Sequence, residues 1–107
     1  PDMKIAQEEI FGPVLGVIAV SGFDEAIEVA NAVRFGLSAS ICTRDISRAM
    51  EFVDRIDVGL VHINSPTAGA EVQVPFGGMK DSSTGTREQG KVAVDFYTEI
   101  KTVYLEY

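Results

Sequence analysis

The sequence predicts an α/β fold: a partial parallel sheet of βαβ units with flanking helices, plus a C-terminal oligomerisation strand. Three observations predict it. Short apolar runs without alternation recur at residues 14–20, 37–43 and 60–64. Segments with helical spacing of apolar residues separate them, and the connections between are only a few residues long. Strand, helix, strand, helix, strand with short joints is the signature of units that close around a parallel sheet.

Each element has its own warrant. Residues 14–20 are Val, Leu, Ile and Ala with one glycine, and such a run reads as a strand buried on both faces. Ser21-Gly22 breaks it. Residues 24–34 carry Ala26, Ile27, Ala30 and Val33 at helical spacing, with Asp24, Glu25 and Glu28 toward the positive amino end. Gly36 then stands where a left-handed cap would stop that helix. Residues 37–43 give the second strand. Residues 45–57 give a second helix with Ile46, Ala49, Met50, Val53 and Ile56 on one face. Gly59 ends it, and residues 60–64 form the third strand.

After Asn64 the character changes. Residues 65–83 contain Pro66, Gly69, Pro75, Gly77 and Gly78 and read as one long loop, a length that in compact domains usually marks function. Residues 84–94 read as a short helix weakened by Gly85 and Gly90. The tail, residues 97–107, is rich in Thr, Val, Ile and Tyr and reads as a strand. Its Ile100, Val103, Tyr104, Leu105 and Tyr107 would make an edge that invites another chain unless the strand docks at home. Glu99, Lys101 and Glu106 would bias which partner is accepted. The chain divides into a body, residues 1–96, and a terminal strand, residues 97–107, which either docks at home or serves as an oligomerisation strand between subunits.

Composition narrows the function classes. Hydrophobic residues make up 46% and charged residues 23%, ordinary for a soluble globular chain and unlike a disordered one. No apolar run approaches the roughly 20 residues of a membrane helix, so no membrane partner is expected. The start at Pro1 has no basic region followed by an apolar stretch and does not read as a secretory signal. It also lacks an initiator Met, as after processing or in a chain cut from something longer. A net charge of −7, with nine scattered basic residues, argues against a nucleic-acid partner. Cys42 is the one cysteine, so no internal disulfide or metal site is expected, and a reducing, cytoplasmic setting fits. With apolar residues on both sides and no assured electropositive neighbour, Cys42 reads as inert. His62 lies in an apolar strand and reads as a hydrogen-bonded core residue.

Two motifs say more. One is Glu8-Glu9-Ile10-Phe11-Gly12-Pro13-Val14, directly before the first apolar run. The other is Pro75-Phe76-Gly77-Gly78-Met79-Lys80, followed by Gly85-Thr86-Arg87-Glu88-Gln89-Gly90 and Phe96-Tyr97-Thr98-Glu99-Ile100-Lys101-Thr102-Val103. In this order and spacing they resemble the NAD(P)-dependent aldehyde dehydrogenase superfamily, over essentially the whole chain, and correspond to the C-terminal part of its catalytic domain. Ile63-Asn64-Ser65-Pro66-Thr67-Ala68-Gly69-Ala70-Glu71 is similar to the 2-oxoglutarate semialdehyde (2,5-dioxopentanoate) dehydrogenases. The stretch between Lys80 and Glu88 departs from the commoner family form by one extra residue and one lost glycine.

The resemblance implies roles. Glu9 matches the carboxylate that accepts hydrogen bonds from the nicotinamide ribose, and Phe11 the aromatic packed beside the nicotinamide. Phe76, Thr67 and Gly69 match the region lining the substrate entrance. Arg87 and Glu88 read as charges at a helix start, and Glu8 as solvated. Family members oxidise an aldehyde through a cysteine thiolate, hydride transfer to the nicotinamide, and a glutamate-activated water, with an amide donor stabilising the oxyanion. The resemblance places all those groups, and the dinucleotide-binding domain, upstream of Glu8. No Gly-x-Gly-x-x-Gly turn is present either.

No catalytic residue is therefore expected here. NAD or NADP would serve the complete enzyme, with none held by this chain alone. The partners implied are the missing upstream part of the enzyme and further copies associating through the tail. Two alternatives stand beside this reading: a non-enzymatic interaction module, and one half of a split enzyme completed in trans. A response-regulator-like or small Rossmann-type domain would share the alternation, but it predicts an acidic pocket or Gly-rich loop that the sequence lacks.

Overall fold

Asp45 shows how local chemistry sets the centre of this fold. Its backbone is extended, and its carboxylate accepts hydrogen bonds from the Ser47 and Arg48 N–H groups at 2.9 and 3.3 Å. Those donors would otherwise be orphans of the helix start. The computed structural model describes residues 1–107. In chain order it contains α1 (Lys4–Gln7), α2 (Phe23–Asn31), β1 (Phe35–Gly36), β2 (Ser38–Ile41), α3 (Ile46–Arg55) and β3 (Leu60–Ile63). β4 (Met79–Lys80), a 3-10 turn (Gly90–Val92) and α4 (Ala93–Tyr97) follow. No helix is long and apolar enough to cross a membrane.

The centre is one βαβ unit. β2 and β3 pair in parallel, from Ser38 opposite Leu60 to Ile41 opposite Ile63, and α3 is the crossover between them. Ile27 of α2, Phe52 and Ile56 at α3, and Val58 form the buried cluster; Phe23, Ala39, Ile41 and Val61 pack against it. One sheet face is therefore covered by α2 and α3. The alternate strand residues, Ser38, Ser40, Leu60 and His62, belong to the other face. The helix face differs from expectation: Ala49, Phe52 and Ile56 are in, whereas Ile46, Met50 and Val53 are exposed. Both sets have helical spacing, and the one that includes the large Phe52 ring buries more apolar area.

Polar contacts lock α2 onto α3. Arg55 donates to Asp24 and Glu51, both at 2.6 Å. Asn31 donates to the Arg55 carbonyl at 2.8 Å and accepts from the Asp57 N–H at 2.9 Å. α2 does not end on a left-handed Gly36. It stops at Asn31, followed by Ala32 in a right-handed conformation, and the Lys80 ammonium donates to the Asn31 and Val33 carbonyls at 3.1 and 2.9 Å. A cation there complements the helix dipole. Gly36 is needed for close approach instead, since a Cβ on it would sit 2.5 Å from the Asp57 carbonyl. It lies in β1, which pairs antiparallel with β4 inside what the sequence presents as an unbroken loop.

Three expected elements are replaced. Residues 14–20 are extended but exposed along their length and join no ladder, so the predicted first strand is an arm. The predicted helix at 84–94 is absent until the 3-10 turn, because Gly85, Gln89 and Gly90 adopt positive φ of 94°, 67° and 53°. α4 then carries the helix to Tyr97. The tail beyond it is exposed and pairs with nothing. In both arms the physical reason is the same: this chain offers no strand beside them, and a strand without a ladder partner is not stabilised. The molecule measures 70 × 33 × 22 Å with a radius of gyration of 18.0 Å, against about 13 Å for a compact domain of this length.

Candidate functional site

Glu9 and Phe11 share one cavity. Glu8, Gly12 and Val14 also line it, and its volume is about 320 Å³. α1 leads directly into this segment, the Glu8 N–H bonding the Lys4 carbonyl at 2.9 Å. The Glu8 carboxylate pairs with Lys4 at 3.5 Å across solvent, whereas the Glu9 carboxylate has no ion-pair partner in the chain. Phe11 adopts φ 54°, a left-handed conformation rare for a bulky side chain. Beyond it the Val14 N–H bonds the Gly12 carbonyl at 2.8 Å, closing a tight turn around Pro13. The result is an aromatic ring 89% exposed beside a free carboxylate. Neither side chain turns into the core.

Thr67, Gly69 and Phe76 meet in a second cavity of about 190 Å³, lined also by Ser38, Leu60 and His62. Two fastenings set its rim. Asn64 sits at φ 56° and continues the β2–β3 ladder with its side chain. It accepts from the Thr43 N–H at 2.8 Å and donates to the Thr43 carbonyl at 2.9 Å, while its own N–H bonds Ile41 at 2.8 Å. The Ser40 hydroxyl adds a bond to the Ser65 carbonyl at 2.6 Å. Opposite, Phe76 exchanges backbone bonds with Glu88 at 2.7 and 2.9 Å. The Arg87 guanidinium donates to the Gly78 carbonyl at 2.8 Å.

Several sequence expectations change here. Arg87 and Glu88 do not start a helix; they brace the Phe76 turn. His62 is half-buried and lines the second cavity without a side-chain hydrogen bond, so it is not a hydrogen-bonded core residue. Cys42 is exposed just beyond β2 instead of lying between apolar neighbours in a strand. It lines neither cavity described above. Away from both cavities, the Ser21 hydroxyl and N–H hold the Glu25 carboxylate below its ordinary titration range. Chemically, the two cavities offer an unpaired carboxylate, two aromatic walls, hydroxyls and an imidazole, which suit binding and orientation more than bond making.

A profile of the aldehyde dehydrogenase family matches residues 1–103. The chain belongs to this family. The alpha-ketoglutaric semialdehyde dehydrogenase of Bacillus subtilis (strain 168) is 58% identical over 105 residues, covering 98% of this chain and 22% of that protein. The alpha-ketoglutarate semialdehyde dehydrogenase of Haloferax volcanii is likewise 58% identical, covering 100% of this chain and 22% of the relative. Among solved structures, the NAD+ complex of aldehyde dehydrogenase from Bacillus cereus superposes with a TM-score of 0.90 at 39% identity, over 97% of this chain and 21% of that one. The chain therefore spans about a fifth of the length of the curated relatives it matches. The semialdehyde-oxidising resemblance read from residues 63–71 agrees with those relatives. Ser38 and the Asn64 clamp escaped the sequence reading and His62 was placed in the core, although polar residues at alternating positions of apolar strands were the available signal.

Proposed function

We propose that this chain is the C-terminal part of the catalytic domain, with its oligomerisation strand, of an NAD(P)-dependent dehydrogenase that oxidises a semialdehyde to the carboxylic acid. The observation that carries the reading is Glu9 and Phe11 standing side by side, both solvent-facing, in one cavity. An unpaired carboxylate suits the vicinal hydroxyls of a nicotinamide ribose, and an exposed ring suits the flat face of the base. When bound, the nicotinamide supplies the hydride acceptor. Overall, aldehyde, water and oxidised nicotinamide give carboxylate, reduced nicotinamide and protons. Glu9 orients the ribose, Phe11 walls the ring from water, and Phe76, Thr67 and Gly69 line the approach of the aldehyde. The names of the two semialdehyde dehydrogenases that are 58% identical to the chain favour a 2-oxo acid semialdehyde as substrate.

The thiol and the base come from polypeptide outside these residues, so the chain alone binds nicotinamide poorly and turns nothing over. Its partners are that upstream polypeptide and, through the tail, further copies; a cytoplasmic setting accords with an exposed unpaired thiol. The test follows nicotinamide absorbance with a semialdehyde and NAD or NADP. The expected outcome is no turnover by the pure chain and turnover once an upstream polypeptide of the family is added. In that assembly Glu9→Gln and Phe11→Ala should lower kcat more than they raise the aldehyde KM. Robust turnover by the chain alone, or full activity after either substitution, overturns the reading.

A further inference from the structure

Gly77 and Gly78 make the turn after Phe76 possible, but they do not hold it in place. Gly77 adopts φ 156°, and neither glycine has a side chain to anchor, so the turn takes its position from what grips its ends. On the Phe76 side the grip is the backbone exchange with Glu88 at 2.7 and 2.9 Å, together with the Arg87 guanidinium on the Gly78 carbonyl at 2.8 Å. Underneath, the turn rests directly on the joint between α3 and β3: a Cβ on Gly59 would overlap the Gly77 carbonyl oxygen. On the far side the grip is Lys80. It adopts φ 50°, a left-handed conformation rare for lysine and one that persists only where the surroundings impose it. The Ser82 N–H bonds the Met79 carbonyl at 3.1 Å and closes the backbone around it. From there its stem crosses the bare Cα of Gly36, where a Cβ would lie 3.0 Å from Lys80 Cε. Its ammonium then donates to the Asn31 and Val33 carbonyls at 3.1 and 2.9 Å. Asn31 is the last residue of α2 and is itself bonded to Arg55 and Asp57 at the end of α3. Lys80 thus ties the turn to the carboxyl end of α2, and through Asn31 to the helix pair that carries the buried cluster.

We infer that Lys80 is a positioning residue of the substrate entrance, setting through its hold on α2 where the Phe76 ring stands. This rests on the reading above that Phe76 lines the approach of the aldehyde. Lys80 acts through the turn and touches no substrate itself. Charge-assisted bonds from one ammonium to carbonyls at a helix end are strong enough to fix a short glycine turn. Without the ammonium, the left-handed backbone at Lys80 loses the contact that offsets it, and the turn relaxes away from α2. The Phe76 ring then spends less time where the aldehyde passes. Glu9 and Phe11 lie on a different segment and keep their geometry, so aldehyde and nicotinamide should respond differently.

The experiment uses the enzyme assembled with its upstream polypeptide, takes 2,5-dioxopentanoate as the aldehyde, and reads the KM values for aldehyde and nicotinamide separately. Lys80→Met keeps the stem and removes the ammonium. It should raise the aldehyde KM by about 5- to 30-fold, the loss of part of the contact with one aromatic ring. The nicotinamide KM and kcat should stay within about twofold. Lys80→Arg, which can still donate to both carbonyls, should keep most of the wild-type aldehyde KM. Phe76→Ala should raise that KM at least as far, and adding Lys80→Met to it should change little more, because the lysine acts through the ring. If the methionine variant folds poorly, Lys80→Gln, an uncharged donor on a shorter stem, takes its place. Additive losses in the double variant, or an equal rise in both KM values, would show general loosening and overturn the inference. If Phe76→Ala raises the aldehyde KM and Lys80→Met does not, only the inference falls. If Phe76→Ala leaves it unchanged, the entrance reading falls and the inference with it.

Discussion

Replacing Asn64 should loosen the rim of the second cavity by a predictable amount. Its side chain makes two bonds to the backbone of Thr43, at 2.8 and 2.9 Å, where the β2–β3 ladder would otherwise run out. Each such bond contributes about 0.5–1.5 kcal/mol net. Asn64 also sits at φ 56°, where a Cβ without a local hydrogen-bonding group costs about 1–2 kcal/mol. Asn64→Ala loses the bonds and keeps the strained backbone, so it should destabilise by about 2–5 kcal/mol. Asn64→Gly loses the bonds but relieves the strain, so it should cost about 1–3 kcal/mol. Urea unfolding followed by circular dichroism reads the difference, because a change of 1–2 kcal/mol moves the midpoint by about 1 M in a chain of this size. Amide hydrogen exchange at Thr67 and Gly69 should quicken in both variants, since the clamp sets where the loop leaves β3. Equal midpoints for the two variants would refute the strain argument, and unchanged exchange at Thr67 and Gly69 would refute the positioning argument.

Further outcomes follow from other contacts. Asp45→Ala removes the cap of α3 and should cost about 1 kcal/mol by the same urea assay, while Asp45→Asn should cost less. Ser21→Ala should raise the Glu25 pKa toward the ordinary carboxylate value, read from the pH dependence of its side-chain carbon resonance. Because the folded-state pKa is the depressed one, this contact stabilises the chain above the unfolded carboxylate pKa and ceases to do so as pH falls through the folded value. The Ser21→Ala penalty should therefore shrink in acid, and a penalty that grows there would be contrary evidence. A chain ending at Phe96 should sediment as a smaller species than the full chain, and equal masses would remove the tail from the association surface.

What the sequence made legible depended on whether the signal was local. α3 and its start were readable because Asp45 followed by amphipathic spacing is a local pattern, and β2 and β3 because short apolar runs bounded by turn residues are too. The arm at 14–20 misled, since an unalternating apolar run reports that a segment wants cover, not that a neighbouring strand exists to give it. The same holds for the tail. β1 and β4 have two residues each and no period to read. The helix expected at 84–94 failed on backbone conformation, which Gly85 and Gly90 hinted at and Gln89 did not. Glu9 and Phe11 are silent as local chemistry; a carboxylate pair beside an aromatic is ordinary surface, and only the surrounding motif distinguished them. His62 was read as core because strand alternation had not been used to sort the two faces of the sheet.

The two arms and the bare sheet face are one physical fact. A folded monomer of 11.5 kDa exposes about 5,800 Å², whereas this chain exposes 8614 Å². The excess of about 2,800 Å² is larger than a standard protein–protein interface and in the range of obligate ones. Its apolar content is concentrated: Leu15 and Val17 on one arm and Ile100, Tyr104 and Leu105 on the other are among the most exposed large side chains. Parallel sheets occur with both faces covered, yet β2–β3 is covered on one face only, and the uncovered face is the one that carries Ser38 and His62. Exposed apolar surface of this extent is unfavourable in water, so the chain is more stable in a state with those surfaces occupied. Glu9, Phe11 and the lining of the second cavity lie on the open side of the fold, facing space that this chain does not fill.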